Sequence, residues 1–312
     1  MKSTNKIDVV IIGSGPAAYT AAIYTARAAL STTIVAGDVP GGQLLLTSEV
    51  ENFPGFQDGI MGPELMDVMQ AQALRFGVKM IREFVDEVHP GETGHTLHLR
   101  DGSELHAKAV IIATGAQARW LGLENETRLM GKGISACATC DGYFFQGKHV
   151  VVVGGGDTAM EEALTLTKFA SKVTVVHRRD SLRASKIMQD RAKQHPKISF
   201  VWDSAVSDVF GEAMVSGVEL TNLKTNEKQR LECEGLFVAI GHIPATDFLK
   251  GTIDLDEKGY VAVQDIVLTN VKGIFAAGDV ADKRYRQAIT AAGDGCRAAL
   301  EAEHYLAGLS TT

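Results

Sequence analysis

The chain has 312 residues, which is enough for about two domains of ordinary size. Hydrophobic residues make up 45% of it and charged residues 22%, as in a globular protein, and no apolar run approaches the roughly 18 residues that span a bilayer. The net charge of -7, without a long basic block, argues against nucleic-acid binding. Asp8 and a Gly-Ser-Gly-Pro stretch interrupt the first apolar segment, which argues against a signal peptide. We therefore expect a cytoplasmic protein, outside the membrane, that acts on a small molecule or a protein.

The first cluster of glycines lies between a predicted strand and a predicted helix. Residues 6–12, which are mostly apolar, indicate a buried strand, and the alanine-rich residues 17–30 indicate a helix. In this context Gly13 permits a tight turn, Gly15 lets a pyrophosphate approach the backbone, and the helix N-terminus attracts the anion. Asp38 lies about twenty residues beyond the turn, where a carboxylate that binds ribose is expected. The pattern predicts a dinucleotide site, with a tight α/β connection that binds nothing as the alternative.

The same arrangement recurs in the middle of the chain. A predicted strand at residues 148–153 leads into Gly154 and Gly156, and the predicted helix that follows runs to Ala170. A further strand is predicted at residues 172–176. Two glycine turns, each in full strand-turn-helix context, predict two nucleotide sites in one chain.

Basic residues follow the second turn at the position where a ribose-binding acid would stand. They are His177, Arg178, Arg179 and Arg183. Guanidinium groups can clamp a 2'-phosphate through paired hydrogen bonds, which selects NADPH over NADH. The first site has no such pair, so we expect a different dinucleotide there, and FAD is the natural partner of NADPH. The alternative is that these charges are the solvated end of a strand.

Two of the four cysteines, Cys137 and Cys140, form a CxxC motif between the glycine turns. Thiols three residues apart on a helical turn can close a small disulfide ring, and such motifs often lower the pKa of the attacking thiol. Half of a zinc site is the alternative, although Cys233 and Cys296 stand alone in the sequence and are expected to be buried. Asp141 is expected either to carry a proton during dithiol formation or to cap a turn.

The C-terminal part contains a predicted strand that ends at Gly278 and Asp279, followed by a long predicted helix that reaches Tyr305. A carboxylate at a strand end and a helix N-terminus are suited to bind the ribityl hydroxyls of a flavin and to polarise its ring. A helix with only a structural role would give the same pattern.

Together these motifs resemble those of the low-molecular-weight, NADPH-dependent thioredoxin reductases of bacterial and plant type. The resemblance runs essentially from end to end of the chain. It rests on the order and spacing of Gly13-Ser-Gly-Pro-Ala-Ala, Gly41-Gly-Gln43-Leu, Glu49-Val-Glu-Asn52-Phe-Pro54-Gly, Ala113-Thr-Gly115, Cys137-Ala-Thr-Cys140-Asp141-Gly, Gly154-Gly-Gly-Asp-Thr-Ala, His177-Arg-Arg-Asp, Phe275-Ala-Ala-Gly-Asp279 and Arg286-Gln-Ala288. The chain departs from the family pattern at residues 241–246.

The resemblance implies an α/β fold of two Rossmann-like, three-layer dinucleotide-binding domains, as in class II pyridine nucleotide-disulfide oxidoreductases. An NADPH domain at residues 118–247, which carries the CxxC motif, is inserted into an FAD domain made of residues 1–117 and 248–312. Hinges are expected near residues 115–120 and 241–248. A homodimer is also implied.

The resemblance implies a reaction as well. Electrons pass from NADPH through FAD and the Cys137–Cys140 disulfide to oxidised thioredoxin, and the domains rotate between the two half-reactions. In this scheme Cys140 adjoins the flavin, Cys137 attacks thioredoxin and Asp141 handles protons.

The site residues that the resemblance implies fall into two sets, and no metal ligands are among them. FAD is assigned Gly13, Ser14, Gly15, Pro16, Ala17, Gly37, Gly42, Gln43, Asn52, Ala113, Gly115, Gly278, Asp279, Arg286, Gln287 and Ala288. NADPH is assigned Gly154, Gly155, Gly156, Asp157, Thr158, His177, Arg178, Arg179, Arg183, Ile240 and Gly241.

Other enzymes and one other class of protein compete with this interpretation. The flavoprotein core of alkyl hydroperoxide reductase carries an additional N-terminal domain, and a thioredoxin reductase fed by ferredoxin should lack the second glycine turn and its arginine pair. Cys137 and Cys140 exclude a ferredoxin-NADP reductase that lacks the CxxC motif. A nucleotide-binding or zinc-binding protein without turnover is the alternative from another class.

Overall fold

The computed structural model describes residues 7–47 and 49–309 and divides into two compact units. The first unit contains the chain up to Gln117 and again from Ile243 onward, and the second is Ala118–His242. Lys6, with which the first predicted strand begins, lies outside the described residues, as do the outermost residues of the expected FAD domain.

Short strands and seven α-helices make up the described part of the chain. The strands are β1 (Ile7–Ile12), β2 (Thr32–Val35), β3 (Glu49–Val50), β4 (Ile60–Met61), β5 (Lys79–Ile81), β6 (Val85–His89), β7 (His95–Leu99), β8 (Glu104–Ile112), β9 (Ala116–Ala118), β10 (Ile134–Ser135), β11 (His149–Val153), β12 (Lys172–Val176), β13 (Ile198–Val201), β14 (Ser204–Phe210), β15 (Gly217–Asn222), β16 (Lys228–Glu232), β17 (Gly235–Val238), β18 (His242–Pro244) and β19 (Ile274–Ala276). The helices are α1 (Pro16–Arg27), α2 (Gly62–Arg75), α3 (Glu124–Leu129), α4 (Ala138–Asp141), α5 (Asp157–Leu166), α6 (Lys186–Gln194) and α7 (Ala288–Leu309). Short 3-10 helices occur at Gly42–Leu46, Gly142–Phe145 and Asp247–Leu249.

The first unit is built on a seven-stranded sheet with a parallel centre. Strands β5, β2, β1 and β8 pair side by side in parallel, and β19 pairs with the C-terminal part of β8. The hairpin of β6 and β7 continues the sheet by antiparallel pairing with the N-terminal part of β8. Buried β-branched residues fill both faces of the central strands, as expected for a parallel sheet covered on both sides.

Helices α1 and α7 pack against each other next to this sheet. An added Cβ at Gly295 in α7 would lie 2.1 Å from the carbonyl oxygen of Ala17 in α1, so only glycine permits this approach. Helix α1 ends at Arg27, before the predicted residue 30, because Ala29 adopts a left-handed conformation with a φ of 60°. Helix α7 continues to Leu309, beyond the predicted end.

The second unit holds a five-stranded parallel sheet in the order β10, β17, β11, β12 and β13. An antiparallel sheet of β14, β15 and β16 accompanies it. Helix α5 ends at Leu166 rather than at the predicted Ala170. Lys197 lies at this end, where its Nζ donates hydrogen bonds to the carbonyl groups of Thr167 and Ala170 at 2.7 and 2.8 Å.

The two segments that connect the units run side by side, because β9 and β18 form a two-stranded sheet. The N–H of Ala245 donates to the carbonyl of Gly115 at 3.1 Å, and the N–H of Arg119 donates to that of Gly241 at 2.9 Å. The chain returns to the first unit at Ile243, whereas the resemblance placed the return at residue 248. Residues between these two boundaries already bond to the first unit: the hydroxyl of Thr114 donates to the carbonyl of Ala245 at 2.8 Å, and the hydroxyl of Thr246 donates to the carbonyl of Gly259 at 2.7 Å.

No helix within residues 7–47 and 49–309 has the length and apolar character that a membrane span needs.

Candidate active site

In the first glycine turn, a Cβ atom would find open space at one glycine and would clash at the other. Gly13 has a φ of 123°, and a Cβ there would lie 2.2 Å from the carbonyl oxygen of Ala113. Gly15 has nothing within 4 Å of a Cβ position, and as the N-cap residue of α1 it provides no side-chain capping bond. The N–H groups at the start of α1, which begin with Ala17 because Pro16 has none, therefore face an open approach that suits a pyrophosphate.

A second loop is tied to this turn by Ser14. Its hydroxyl donates to the carbonyl of Ala36 at 2.8 Å and accepts the N–H of Gly41 at 3.1 Å. A Cβ on Gly42 would lie 3.5 Å from the Cα of Gly15, so Gly42 and the following Gln43 lie beside the turn. Asp38 is exposed in the loop after β2, and Gly37 before it has a φ of 75°.

Other predicted flavin ligands meet near the start of α7. Nδ2 of Asn52 and Oε1 of Gln287 lie 3.5 Å apart, although they are remote in the sequence. Arg286 has a φ of 48°, and its Nε is buried without a hydrogen-bond partner among the described residues. Gln287 and Thr290 exchange hydrogen bonds where α7 begins at Ala288.

Asp279 lies at the end of β19 in a setting unusual for a carboxyl group. Burial raises its pKa to about 7; the neighbouring charges of Asp282 and Asp294 add to the rise, and Arg286 opposes it. A carboxyl group with a pKa near 7 can donate a hydrogen bond to a polar ligand when protonated and accept one from it when ionised. Together with the open glycine turn and the unpartnered Arg286 Nε, this arrangement fits a flavin dinucleotide.

The second glycine turn repeats the first. Gly154 has a φ of 151°, and a Cβ there would lie 2.4 Å from the carbonyl oxygen of Ala239. Gly156 has nothing within 4 Å and provides no side-chain cap for α5, which begins with Asp157 and Thr158. The amides at the start of α5 therefore face an open approach, so this turn also fits a nucleotide pyrophosphate.

His177 closes one side of the second turn. Its ring lies so near Gly155 that a Cβ there would be 2.2 Å from the imidazole. Burial lowers the pKa of His177, and the charges of Arg183, Arg178 and Arg179 lower it further. The imidazole is therefore neutral at pH 7, and the positive charge of the site comes from the arginines.

The three arginines are exposed at the end of β12 and in the loop after it. None of Arg178, Arg179 and Arg183 forms an ion pair with any residue in the described parts of the chain. The backbone N–H of Arg183 donates to the carbonyl of Gly155 at 2.7 Å, which ties this loop to the glycine turn. Ile240 and Gly241 follow β17, which pairs with β11, and Ile240 is 39% exposed.

Cys137 and Cys140 are joined in a disulfide at the start of α4, with their Cα atoms 5.3 Å apart. Cys137 is the N-cap residue, and its Sγ accepts the N–H of Cys140 at 3.2 Å. The hydroxyl of Ser135, at the end of β10, accepts the N–H of Cys137 at 3.0 Å. Because both sulfur atoms are in the disulfide, neither is a thiolate ligand for zinc in this state.

Asp141 adjoins the pair and makes no capping hydrogen bond to the 3-10 helix that follows it. Burial raises the pKa of its carboxyl group, and a hydrogen bond from Ser135 opposes the rise. A raised pKa suits a proton carrier, and this role of Asp141 stays a prediction.

The other two cysteines lie outside this site. Cys233 is buried as expected, and burial raises the pKa of its thiol to about 12. Cys296 is only half-buried, so its expected burial was wrong. It lies at the edge of the packed face of α7, and its thiol is hydrogen-bonded to the exposed Tyr24 of α1.

Two polar residues beside the CxxC motif were missed by the sequence analysis. Ser135 contacts Cys137 and Asp141. It stands two positions before Cys137 in the sequence, so its nearness to the CxxC motif could have identified it. Glu162 in α5 accepts a hydrogen bond from the N–H of Ala138. No sequence pattern links Glu162 to α4, because this contact depends on how the two helices pack.

Comparison with known proteins agrees with this geometry. The sequence profile of the family "Pyridine nucleotide-disulphide oxidoreductase" matches residues 7–295. A thioredoxin reductase of Streptomyces coelicolor is 57% identical over 97% of this chain and 95% of its own length. One of Rickettsia conorii is 50% identical over 98% of this chain and 99% of its own.

Solved structures agree as well. The thioredoxin reductase of Streptococcus pyogenes is 44% identical, covers 98% of this chain and 100% of its own, and superposes with a TM-score of 0.94. That of Lactococcus lactis, described as the FR conformation, is 43% identical over 97% of this chain and 100% of its own, with a TM-score of 0.65. The chain therefore belongs to the pyridine nucleotide-disulphide oxidoreductase family and, within it, to the low-molecular-weight thioredoxin reductases.

Proposed function

We propose that the protein transfers electrons from NADPH, through FAD and the Cys137–Cys140 disulfide, to oxidised thioredoxin. The observation that carries this proposal is the closed CxxC disulfide in the same unit as an arginine-flanked glycine turn. The printed names of the relatives support thioredoxin as the protein substrate. A homodimer, a cytoplasmic location and the lack of nucleic-acid or membrane partners stay predictions.

We assign FAD to the first unit, which comprises the described residues up to Gln117 and from Ile243. The turn at Gly13 and Gly15 would hold the pyrophosphate, and Asp279 and the residues at the start of α7 would hold the flavin end. When bound, FAD supplies the step between a two-electron hydride donor and a disulfide.

We assign NADPH to the second unit. The amides at the start of α5 would bind its pyrophosphate, and Arg178 and Arg179 would bind its 2'-phosphate through charge-assisted hydrogen bonds. The exposure of both side chains and their freedom from ion pairs among the described residues support this assignment.

The exchange with thioredoxin uses the reduced pair. Reduction adds two electrons and two protons and converts the disulfide into two thiols. The Cys137 thiolate then attacks one sulfur of the thioredoxin disulfide, forming a mixed disulfide and expelling a thiolate that takes up a proton. Attack by the Cys140 thiolate on Cys137 Sγ closes the enzyme disulfide again and releases the second thioredoxin thiol. Asp141 adjoins this pair, and the raised pKa of its carboxyl group suits it to exchange protons with the two cysteines.

We propose that the two units rotate between the half-reactions. Gly115 and Gly241 lie in the paired connecting segments, have φ values of 71° and 102°, and have open space around a Cβ position. Element-terminal residues of this kind can absorb a change of angle. Two solved relatives of nearly equal identity give TM-scores of 0.94 and 0.65, which supports conformational differences within the family.

The sibling enzymes considered above fit less well. A ferredoxin-fed reductase has no use for the glycine turn at Gly154 and the arginines after β12, both of which this chain retains. The relatives at 57% and 50% identity are named thioredoxin reductase, which supports this enzyme over a peroxide reductase.

An anaerobic titration tests the proposed function. The purified protein is titrated with NADPH or NADH while the flavin spectrum is recorded, and oxidised thioredoxin is then added. We expect NADPH to bleach the flavin, NADH to act far more weakly, and thioredoxin to restore the colour. Bleaching that thioredoxin does not reverse would contradict thioredoxin as the substrate, and an absence of bleaching would contradict NADPH as the donor.

Gly15→Ala separates cofactor binding from folding. Gly15 has a φ of -87° and open space at the Cβ position, so alanine is expected to leave the free energy of unfolding of the flavin-free protein within about 0.5 kcal/mol. Its methyl group occupies the approach to the α1 amides, so we expect flavin affinity to fall by about tenfold or more. Urea unfolding and flavin titration measure the two quantities.

Gly293→Ala is the matched control, because Gly293 in α7 also has open space at its Cβ position. It is expected to leave flavin affinity unchanged and to raise the free energy of unfolding by up to about 1 kcal/mol, because alanine favours a helix interior more than glycine does. Equal flavin affinity of Gly15→Ala and the wild type would contradict a pyrophosphate at this turn.

A further inference from the structure

A carboxylate from a neighbouring helix is hydrogen-bonded inside the CxxC turn. Oε2 of Glu162, in α5, accepts a hydrogen bond from the backbone N–H of Ala138. Ala138 is the first residue of α4 and directly follows Cys137, so the bonded amide belongs to the peptide between these two residues. The contact lies wholly within the second unit.

Packing holds Glu162 and the redox turn together. The Ala138 side chain is 1% exposed and belongs to the same hydrophobic cluster as Met160 and Ala163, which flank Glu162 in α5. Helix α4 therefore rests on α5 through its apolar side chain, and the Glu162 carboxylate adds a directed polar contact. Helix α5 itself begins at the second glycine turn, which is assigned above to the nucleotide.

The amide that Glu162 binds is one of the backbone amides of the CxxC turn, and such amides influence the pKa of the cysteine thiols. A backbone amide that donates a hydrogen bond to a thiolate stabilises its charged form and lowers its pKa. In α4, the N–H of Cys140 donates to Cys137 Sγ at 3.2 Å and the N–H of Asp141 to the Cys137 carbonyl at 3.1 Å. Glu162 engages the Ala138 amide in the same turn with a group that is itself negatively charged.

We propose that Glu162 is a positioning residue of the redox pair, which fixes the Cys137–Ala138 peptide and opposes ionisation of the reduced pair by its charge. This inference rests on the redox role proposed above. Asp141 in α4 adds a second carboxyl group, and the Lys148 ammonium, whose Nζ donates to the carbonyl of Phe144 at 2.9 Å, is a cation near the end of the following 3-10 helix.

The charge of the Glu162 carboxylate should shift the reduction equilibrium of the disulfide in a defined direction. Reduction of the disulfide by two molecules of glutathione gives two protein thiols and one glutathione disulfide. Above its pKa one protein thiol ionises, which stabilises the reduced form further. A neighbouring carboxylate weakens this stabilisation, so removing its charge should favour the reduced pair at alkaline pH and have little effect at acidic pH.

Three variants test the proposal in the flavin-loaded, full-length protein. Glu162→Gln removes the charge and keeps an acceptor oxygen, and Glu162→Ala removes both. Glu161→Gln is the matched control, because Glu161 is the exposed neighbour in the same helix. Each protein is equilibrated anaerobically with glutathione buffers from pH 6 to pH 9 and quenched with an alkylating agent. The fraction of Cys137 and Cys140 reduced is then measured by mass spectrometry.

We expect the reduction equilibrium constant of Glu162→Gln at pH 9 to be roughly threefold to tenfold above that of the wild type. At pH 6 the equilibrium constants of Glu162→Gln and the wild type should agree within about twofold. The constant of Glu161→Gln should match that of the wild type at both pH values. Alkylation rates of the reduced proteins against pH should give a lower pKa for the Cys137 thiol in Glu162→Gln, and at least as low a value in Glu162→Ala.

A purely structural role for Glu162 would lower the melting temperature of Glu162→Ala without moving these pH profiles. Profiles of Glu162→Gln that superimpose on those of Glu161→Gln would overturn the proposal, and this comparison holds even if Glu162→Ala does not fold. Neither NADPH nor thioredoxin enters the measurement, so failure here is distinguishable from failure of the proposed function.

Discussion

Replacing Cys137 by serine is expected to reduce the rate of thioredoxin reduction by NADPH on the order of a thousandfold or more. Serine has nearly the same size as cysteine, but its hydroxyl can neither form the disulfide with Cys140 nor attack the disulfide of thioredoxin. NADPH should still bleach the flavin in this variant, because neither glycine turn is altered. Stopped-flow absorbance for the first step and a thioredoxin-coupled assay for the whole reaction separate the two results.

Cys296→Ser is the matched control, since it removes a half-buried thiol that lies outside the CxxC motif. It should keep both activities near those of the wild type. A flavin-loaded Cys137→Ser protein that reduced thioredoxin at the native rate would show that Cys137 is not the attacking thiol.

The double substitution Arg178→Ala and Arg179→Ala is expected to raise the KM for NADPH on the order of a hundredfold. A hydrogen bond to a charged group contributes about 1.5–3 kcal/mol, and the two guanidinium groups are expected to share the 2'-phosphate. NADH lacks that phosphate, so its KM should stay within about twofold of the wild-type value. Steady-state kinetics with both coenzymes measures the ratio.

Arg191→Ala is the control for the loss of positive charge, because Arg191 is exposed on the neighbouring helix α6. It should alter neither KM. Equal increases in the KM for NADPH and NADH in the double variant would contradict recognition of the 2'-phosphate and would leave only a general effect on the nucleotide site.

Much of the fold was predictable because its signals are local. The two glycine turns each follow a run of buried β-branched residues and precede a helix, and the structure confirms this arrangement at Gly13 and Gly154. The backbone at both glycines is left-handed, and a carbonyl group lies where a side chain would begin. These requirements involve only a few consecutive residues, so they can be recognised in the sequence.

The remaining features depend on residues that meet only in the fold. Helix α5 was predicted too long, and the carbonyl groups of Thr167 and Ala170 just after it are bound by Lys197, some thirty residues later in the chain. The raised pKa of Asp279 comes from burial and from the charges of Asp282 and Asp294. Glu162 reaches the redox turn from another helix. None of these contacts has a characteristic spacing in the sequence.

The paired connecting segments also bear on the order in which the protein folds. In the first unit, Ile274 of β19 pairs with Val110 of β8, so this part of the sheet can close only after a long stretch of intervening chain has been brought back. Strands so distant in sequence are slow to meet. Because the second unit has its own hydrophobic cores, and because its entry and exit strands lie side by side, folding of this unit first would replace a long flexible loop by a short one. The inserted unit would then help to complete the sheet of the first unit, whose strands precede and follow it in the sequence.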